Sequence, residues 1–249
     1  MSIVTVTAFY YKPSARFGAF ANMGRVRMQP VRAEGLQFSK LMGSGINFGL
    51  MPNLSTYVFL GVWDNEAAAH AFPQTDLYQH LSRGAGQIST LYLQPQRTHG
   101  LWDGQNPFYV PKLSPAGGED RHKLQIPAAP AYRENRASPV AVLTRATIRP
   151  RALPDFWRHV PQARQRLTDH ADDLLFGIGV GEVPLMQQCT ISVWRDAAAV
   201  DRYAYRQSGH KEIVRLTRER NWYSEELFAR FSVLRAEGAL FAPIKQLLS

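Results

Sequence analysis

A single cysteine, Cys189, among 249 residues excludes an intramolecular disulfide and any site built from several thiolates, and makes a reducing compartment the default. The motifs HExxH and CxxC are missing, and no two histidines stand at metal-ligand spacing, so a dedicated zinc or non-haem iron site has no motif behind it. There is no G-x-S-x-G either. Gly43-Ser44-Gly45 lacks the strand-elbow-helix spacing that exposes a nucleophilic serine. FGIGVGEVP at 176–184 offers glycines, but Val183 and Pro184 follow where a pyrophosphate-binding helix would begin. Its Gly177 and Gly179 read as a bent strand or a wall that a ligand approaches closely. No apolar run approaches the roughly 18 residues of a spanning helix. MSIVTVTAFYY carries neither a basic n-region nor a small-residue cleavage site, so no leader is expected and the cytoplasm is the expected location.

Charge is plentiful but spread out. The net charge is +9, and no compact basic patch interleaves with aromatics, so nucleic acid is not an expected partner. The densest basic stretch is 12–40, with Lys12, Arg16, Arg25, Arg27, Arg32 and Lys40 against Glu34 alone. It suits phosphates, cofactor carboxylates, an anionic membrane face touched peripherally, or simple solvation.

With 45% hydrophobic and 20% charged residues the chain can bury a sizeable core. Residues 111 to 138 are rich in proline and glycine and read as a linker. Before it, VTVTAFY (4–10), LSTYVFLGVW (54–63) and ISTLYLQP (88–95) read as strands, with helices over 14–34 and from Glu66, capped by Asp64, to about Ser82. After it, VAVLTRATI (140–148), LLFGIGVGEV (174–183), QQCTISVW (187–194) and LFARFSVL (227–234) read as strands, with helices over 153–171 and after Asp196. VWD-EAAAHAF and VWRD-AAAVDRY recur at an offset of 131. Each half therefore reads as β-α-β-β-α-β. The predicted fold is α+β: tandem ferredoxin-like repeats, 1–110 and 139–249, forming within one chain the α+β barrel that dimers otherwise build.

Among seven histidines, His70 and His80 read as solvent-exposed on a helix, His99 as part of a turn with Gly100, His122 as linker, and His159 and His170 as members of a charged helix. His210 differs. It follows Ser208-Gly209 and shares an inward face with Ile213, Val214 and Thr217, while the first-half equivalent at the same offset is Gln79. An inward histidine is either a hydrogen-bonded core residue or a ligand.

Five stretches, KLMGSG (40–45), LQPQRTHGLWDGQNPF (93–108), LTRATI (143–148), IGVGEVPLMQQCTISVW (178–194), and SGH with ERNWYSEELFARFSVL (208–234), together resemble the spheroidene monooxygenase family of carotenoid biosynthesis. The resemblance implies a haem-containing, oxygen-dependent enzyme, fed by an electron donor, that hydroxylates a lipophilic acyclic carotenoid at C-2 and oxidises it to a ketone. It implies His210 as the axial ligand of the haem iron, a haem-binding second half with Gly177, Gly179 and Trp222 beside the cofactor, and Arg145 and Lys40 as basic catalytic groups. For those two, an ion pair with Glu182 or another carboxylate is the competing reading. Two other functions stay open: a haem- or lipophile-binding module without chemistry, and a cofactor-free monooxygenase of the same barrel type.

Overall fold

Alternating apolar residues close the chain into an eight-stranded antiparallel barrel. The computed structural model describes residues 2–28, 31–48, 51–108, 138–168, 172–203, 215–217 and 219–248. The strands are β1 (Ile3–Tyr11), β2 (Leu36–Gly45), β3 (Pro52–Trp63), β4 (Ala85–Gly100), β5 (Val140–Ile148), β6 (Leu174–Gly181), β7 (Gln187–Trp194) and β8 (Tyr223–Glu237). Around the barrel they run β1-β3-β2-β6-β7-β5-β8-β4. Taken separately, the first four are ordered β4-β1-β3-β2 and the last four β8-β5-β7-β6. Both halves thus share one strand order, that of the split βαβ motif.

The two seams between the halves are unequal. β4 pairs with β8 over ten registered positions, from Thr90↔Glu237 to Gly100↔Leu227. β2 meets β6 only at Gly43↔Gly181 and Ser44↔Val180. Alternation sends Val4, Val6, Val58, Leu60, Leu143, Ile191, Val193 and Phe231 inward, where all are buried in one cluster. The gap among them has no room for a water molecule. Each fourth strand leads into a plug: Trp102 and Phe108 follow β4, and Phe241 and Ile244 follow β8, all four wholly buried in the same interior. The barrel lumen is therefore a packed core and not a channel.

Helices cover the outside. α1 (Arg16–Met28) packs on β2 and β3. α2 (Glu66–Ala71) and α3 (Asp76–Ser82) follow β3. In the second half α4 (Leu153–Thr168) follows β5, and α5 (Ala197–Asp201) follows β7. α2 and α5 start alike. Asn65 accepts from the Ala68 amide at 2.9 Å and Asp196 from the Ala199 amide at 2.7 Å. The cap expected at Asp64 is thus one residue later, and Asp64 instead accepts a hydrogen bond from Gln37. The two tryptophans that mark the duplication are buried. Trp63 donates to Thr5 Oγ1 at 2.8 Å and Trp194 to Ser192 Oγ at 2.9 Å. The linker of 111 to 138 lies, but for Ser138, outside the described residues.

Candidate functional site

The residues singled out in the sequence divide between the two faces of the sheet. Lys40 and Arg145 point into the barrel; Gly177 and Gly179 lie on the outside, and Trp222 packs in an apolar cluster beside α4. His210 lies outside the described residues, as do His122 and His170.

Inside, Lys40 stands between Phe38 and Met42 on β2, and both of those pack into the core. Its Nζ pairs with Asp103 and, at 2.6 Å, with Glu182. Arg145, with its side chain 1% exposed, donates to Glu225 and reaches Asp103 at 3.4 Å. Trp102 lies 5.6 Å from the Arg145 guanidinium and donates its Nε1–H to Glu182 at 2.8 Å. The amides of Asp103 and Gly104 donate to Glu225 at 3.0 and 2.8 Å. Burial works against the Glu225 carboxylate, but these two amides and Arg145 outweigh it and hold its pKa below the ordinary value of 4.5. Burial likewise works against the Lys40 ammonium, and Asp103 and Glu182 overcome it and raise its pKa. Two cations face three carboxylates. Arg145 Nε stays buried without a hydrogen-bond partner. Cys189, opposite Arg145 across β5 and β7, is buried, and desolvation pushes its thiol pKa far up, which leaves it an inert packing residue. All five stretches behind the family resemblance contribute to this cluster: Lys40, Trp102 with Asp103, Arg145, Glu182, and Glu225.

The outer faces of the two halves differ more than their strand orders. Ile3↔Trp63 in β1 and β3 corresponds to Val140↔Trp194 in β5 and β7. By that register Thr7 corresponds to Thr144, Phe9 to Ala146, Tyr57 to Gln188, and Phe59 to Thr190. In the first half all four are buried, with Phe9, Tyr11, Phe59, Trp63 and Phe72 filling the space beneath the helices. In the second half Thr144 is exposed in the middle of its strand, and Gln188 and Thr190 are half-buried. Among the described residues, α4 lies against the turn Ile46–Phe48, and Thr144, Ala146, Gln188 and Thr190 floor a less filled surface beside β5 and β7.

Its margins are defined. Phe48 packs over Gly177 and Gly179, where an added Cβ would meet its ring at 3.1 and 3.0 Å. The space over those glycines is taken by a side chain of this chain. Trp222 anchors the start of α4. It packs edge-on against Phe156 and donates to Asp155 at 2.7 Å, while Arg220 holds the same carboxylate. Thr190, Thr144, Phe228 and His99 form a row across β7, β5, β8 and β4. His99 is exposed and stacks on Phe228 with centroids 5.2 Å apart. It belongs to β4 and not to a turn, because β4 runs on past the first half to pair with β8. His80, expected in solvent, is half-buried and bonded to Asn22 at 2.8 Å and to Arg25. His159 lies against Trp222 with centroids 5.2 Å apart. Among the described residues no three His, Cys, Asp or Glu side chains group to hold a metal ion.

No profile of a known protein family matches the chain. Among solved structures, an aldoxime dehydratase (OxdRE) in complex with butyraldoxime aligns over 99% of this chain and 84% of its own, with a TM-score of 0.55 and 12% identity. That likeness is one of fold. Three sequences are closer. The spheroidene monooxygenase of Rhodobacter capsulatus is 31% identical over 82% of this chain and 78% of its own length. That of Rubrivivax gelatinosus is 31% identical over 91% and 80%. That of Cereibacter sphaeroides is 35% identical over 81% of this chain, which spans only 57% of that relative. The chain belongs to the spheroidene monooxygenase family, a family of oxygen-dependent enzymes.

Proposed function

We propose that this protein is a haem-dependent monooxygenase that hydroxylates and then oxidises a lipophilic substrate, an acyclic carotenoid such as spheroidene at C-2, on the outer face of β5 and β7. The observation that carries this reading is the replacement of Phe9, Tyr57 and Phe59 by Ala146, Gln188 and Thr190, which leaves Thr144 exposed at mid-strand. A floor without aromatic side chains, walled by Phe48 and the aromatic row of Phe228 and His99, fits a planar macrocycle and an apolar chain beside it.

His210 is the residue assigned to hold the iron, through a neutral imidazole nitrogen. When bound, haem supplies the activation of dioxygen, with two electrons from a donor protein and two protons reducing the second oxygen atom to water. The chain's own part is placement and exclusion. Thr144 and Thr190 present hydroxyls and Gln188 an amide to this floor, beside the apolar Ala146, and Phe228 offers a flat contact. His99, at the edge of that floor, is placed to accept or deliver a proton. Lys40 and Arg145 act at one remove: their partners are inside the barrel, and they fix the turn Trp102–Gly104 just after His99.

The test is expression with haem supplementation, followed by an absorption spectrum and turnover of an acyclic carotenoid with reductant and oxygen. His210→Ala is expected to lose the Soret band while remaining folded. A variant that keeps the band unchanged and turns over places the ligand elsewhere. A stable band without product supports a carrier, and product without any band supports a cofactor-free enzyme.

A further inference from the structure

Helix α1 has two apolar faces, and only one of them is used. Ala19, Met23 and Val26, with Asn22, turn to the sheet and are buried or half-buried. On the opposite side Phe17, Phe20, Ala21, Gly24 and Met28 recur at i, i+3, i+4, i+7 and i+11, the spacing of a single helical stripe. Phe17 is 85% exposed, Phe20 57% and Met28 84%. No neighbouring atom stands over Gly24 or Gly18. Scattered exposed apolar residues are ordinary, but a continuous stripe with two phenylalanines leaves a ridge with no partner among the described residues.

Charge identifies the occupant. Residues 12–33 contain Lys12, Arg16, Arg25, Arg27 and Arg32 and not one Asp or Glu. On a helical projection Arg16 falls on one flank of the stripe and Arg25 on the other. Aromatic side chains on one face, bordered by arginines and free of carboxylates, make the pattern of a helix lying in the plane of a bilayer interface. No helix among the described residues is long and apolar enough to cross a membrane. We propose that α1 seats the protein on an anionic lipid surface, with Phe17, Phe20 and Met28 among the acyl chains and the flanking arginines on the headgroup phosphates. A second copy of this chain is the disfavoured occupant, because two such faces would bring ten like charges together. The inference rests on α1 and holds whatever the substrate.

The experiment is co-sedimentation with vesicles of phosphatidylcholine alone and of phosphatidylcholine containing phosphatidylglycerol, at low and high salt. The protein is expected to pellet with the anionic vesicles, less at high salt, and to bind neutral ones weakly. Phe17→Ser/Phe20→Ser/Met28→Ser should partition about tenfold less or lower still, and its thermal transition should not move, because these side chains are exposed in the folded state. Phe17→Ser alone, the mildest change, should show part of the loss. Equal binding to both vesicle types, binding to neither, or a triple variant that pellets like the parent overturns the proposal. So does light scattering that shows a dimer which the triple variant dissolves, since a second copy would then own the face.

Discussion

Thr144 is exposed in the middle of β5, whereas Thr7, its counterpart in β1, is fully buried. The two residues share type, strand position and sheet face, so the difference lies in what surrounds them. Thr7 pairs with Phe59 and Thr144 with Thr190. At the positions beside these threonines the first face carries aromatic rings and the second does not.

Refilling the second face is the direct test. Thr144→Phe should leave the melting temperature unchanged or slightly higher, because an exposed position gains apolar contact. Haem retention should fall about tenfold or more, equivalent to 1.4 kcal/mol. Titration of the apoprotein with haem, followed by absorbance, reads this, and full retention would remove the outer face as the site.

The interior cluster sets how the protein meets acid. Glu225 has a depressed pKa, so its contribution is complete above its ordinary value of 4.5 and is lost as the pH falls through the lower, folded value. Asp155, held by Arg220 and Trp222 below its ordinary 3.8, acts in the same sense. These two groups leave stability flat down to about pH 5 and lower it below 4.5, while His80, whose pKa is lowered by burial and then by Arg25, adds a loss that begins below its ordinary 6.5. Glu225→Gln should lower the plateau and flatten that drop. Urea titrations across the range measure both, and an undiminished acid slope in the variant would assign the drop to other groups.

Arg145→Met strands Glu225 and Asp103 beside the core. Breaking a buried pair from one side costs about 3–5 kcal/mol. Removing both partners is milder, so the double variant Arg145→Met/Glu225→Leu should be less unstable than the sum of its singles, by about 1–3 kcal/mol. Strict additivity would show that Arg145 is held by packing against Trp102 and not by charge.

Gly179 makes the role of Phe48 measurable. An added methyl would stand 3.0 Å from both the ring and the Cα of Phe48, so Gly179→Ala must push the turn Ile46–Phe48 outward. A loss of about 1–3 kcal/mol is expected from overpacking. Gly179→Ala/Phe48→Ala should recover part of it, and equal loss in both would mean that the strand itself demands glycine.

Periodicity made most of the barrel readable. Strands rich in β-branched and aromatic residues stood out, and the repeated Trp with an alanine-rich helix start exposed the duplication, because both features are local. β2 was not readable as a strand: LQFSKLMGSG sends Lys40 and Ser44 inward among apolar residues, which breaks the alternation that marks a strand. β4 and β8 run further than their apolar patterns, since it is pairing with each other that extends them. The ionic cluster illustrates the limit best. Lys40 and Arg145 carried a signal through their motifs, and Glu182 was legible as a partner, which Lys40 takes, but Asp103 and Glu225, 122 positions apart in the chain, are gathered only by barrel closure. His99 was mistaken for a turn residue because Gly100 follows it. Gly100 does take a positive φ of 87°, but one residue after the histidine, at the strand's end. The openness of the second face also escaped, since threonine, alanine and glutamine are unremarkable until set against the phenylalanines and tyrosine at the matching positions.

Joining both halves in one chain has a numerical consequence. A barrel assembled from two identical subunits must repeat every surface, so a groove on one would appear on the other and the assembly would load two ligands. Here the first face is sealed by Phe9, Phe59 and Phe72, and among the described residues the second is not filled in the same way. On the proposed function, saturation should come at one equivalent of haem per chain, a stoichiometry that the covalent connection between the halves allows.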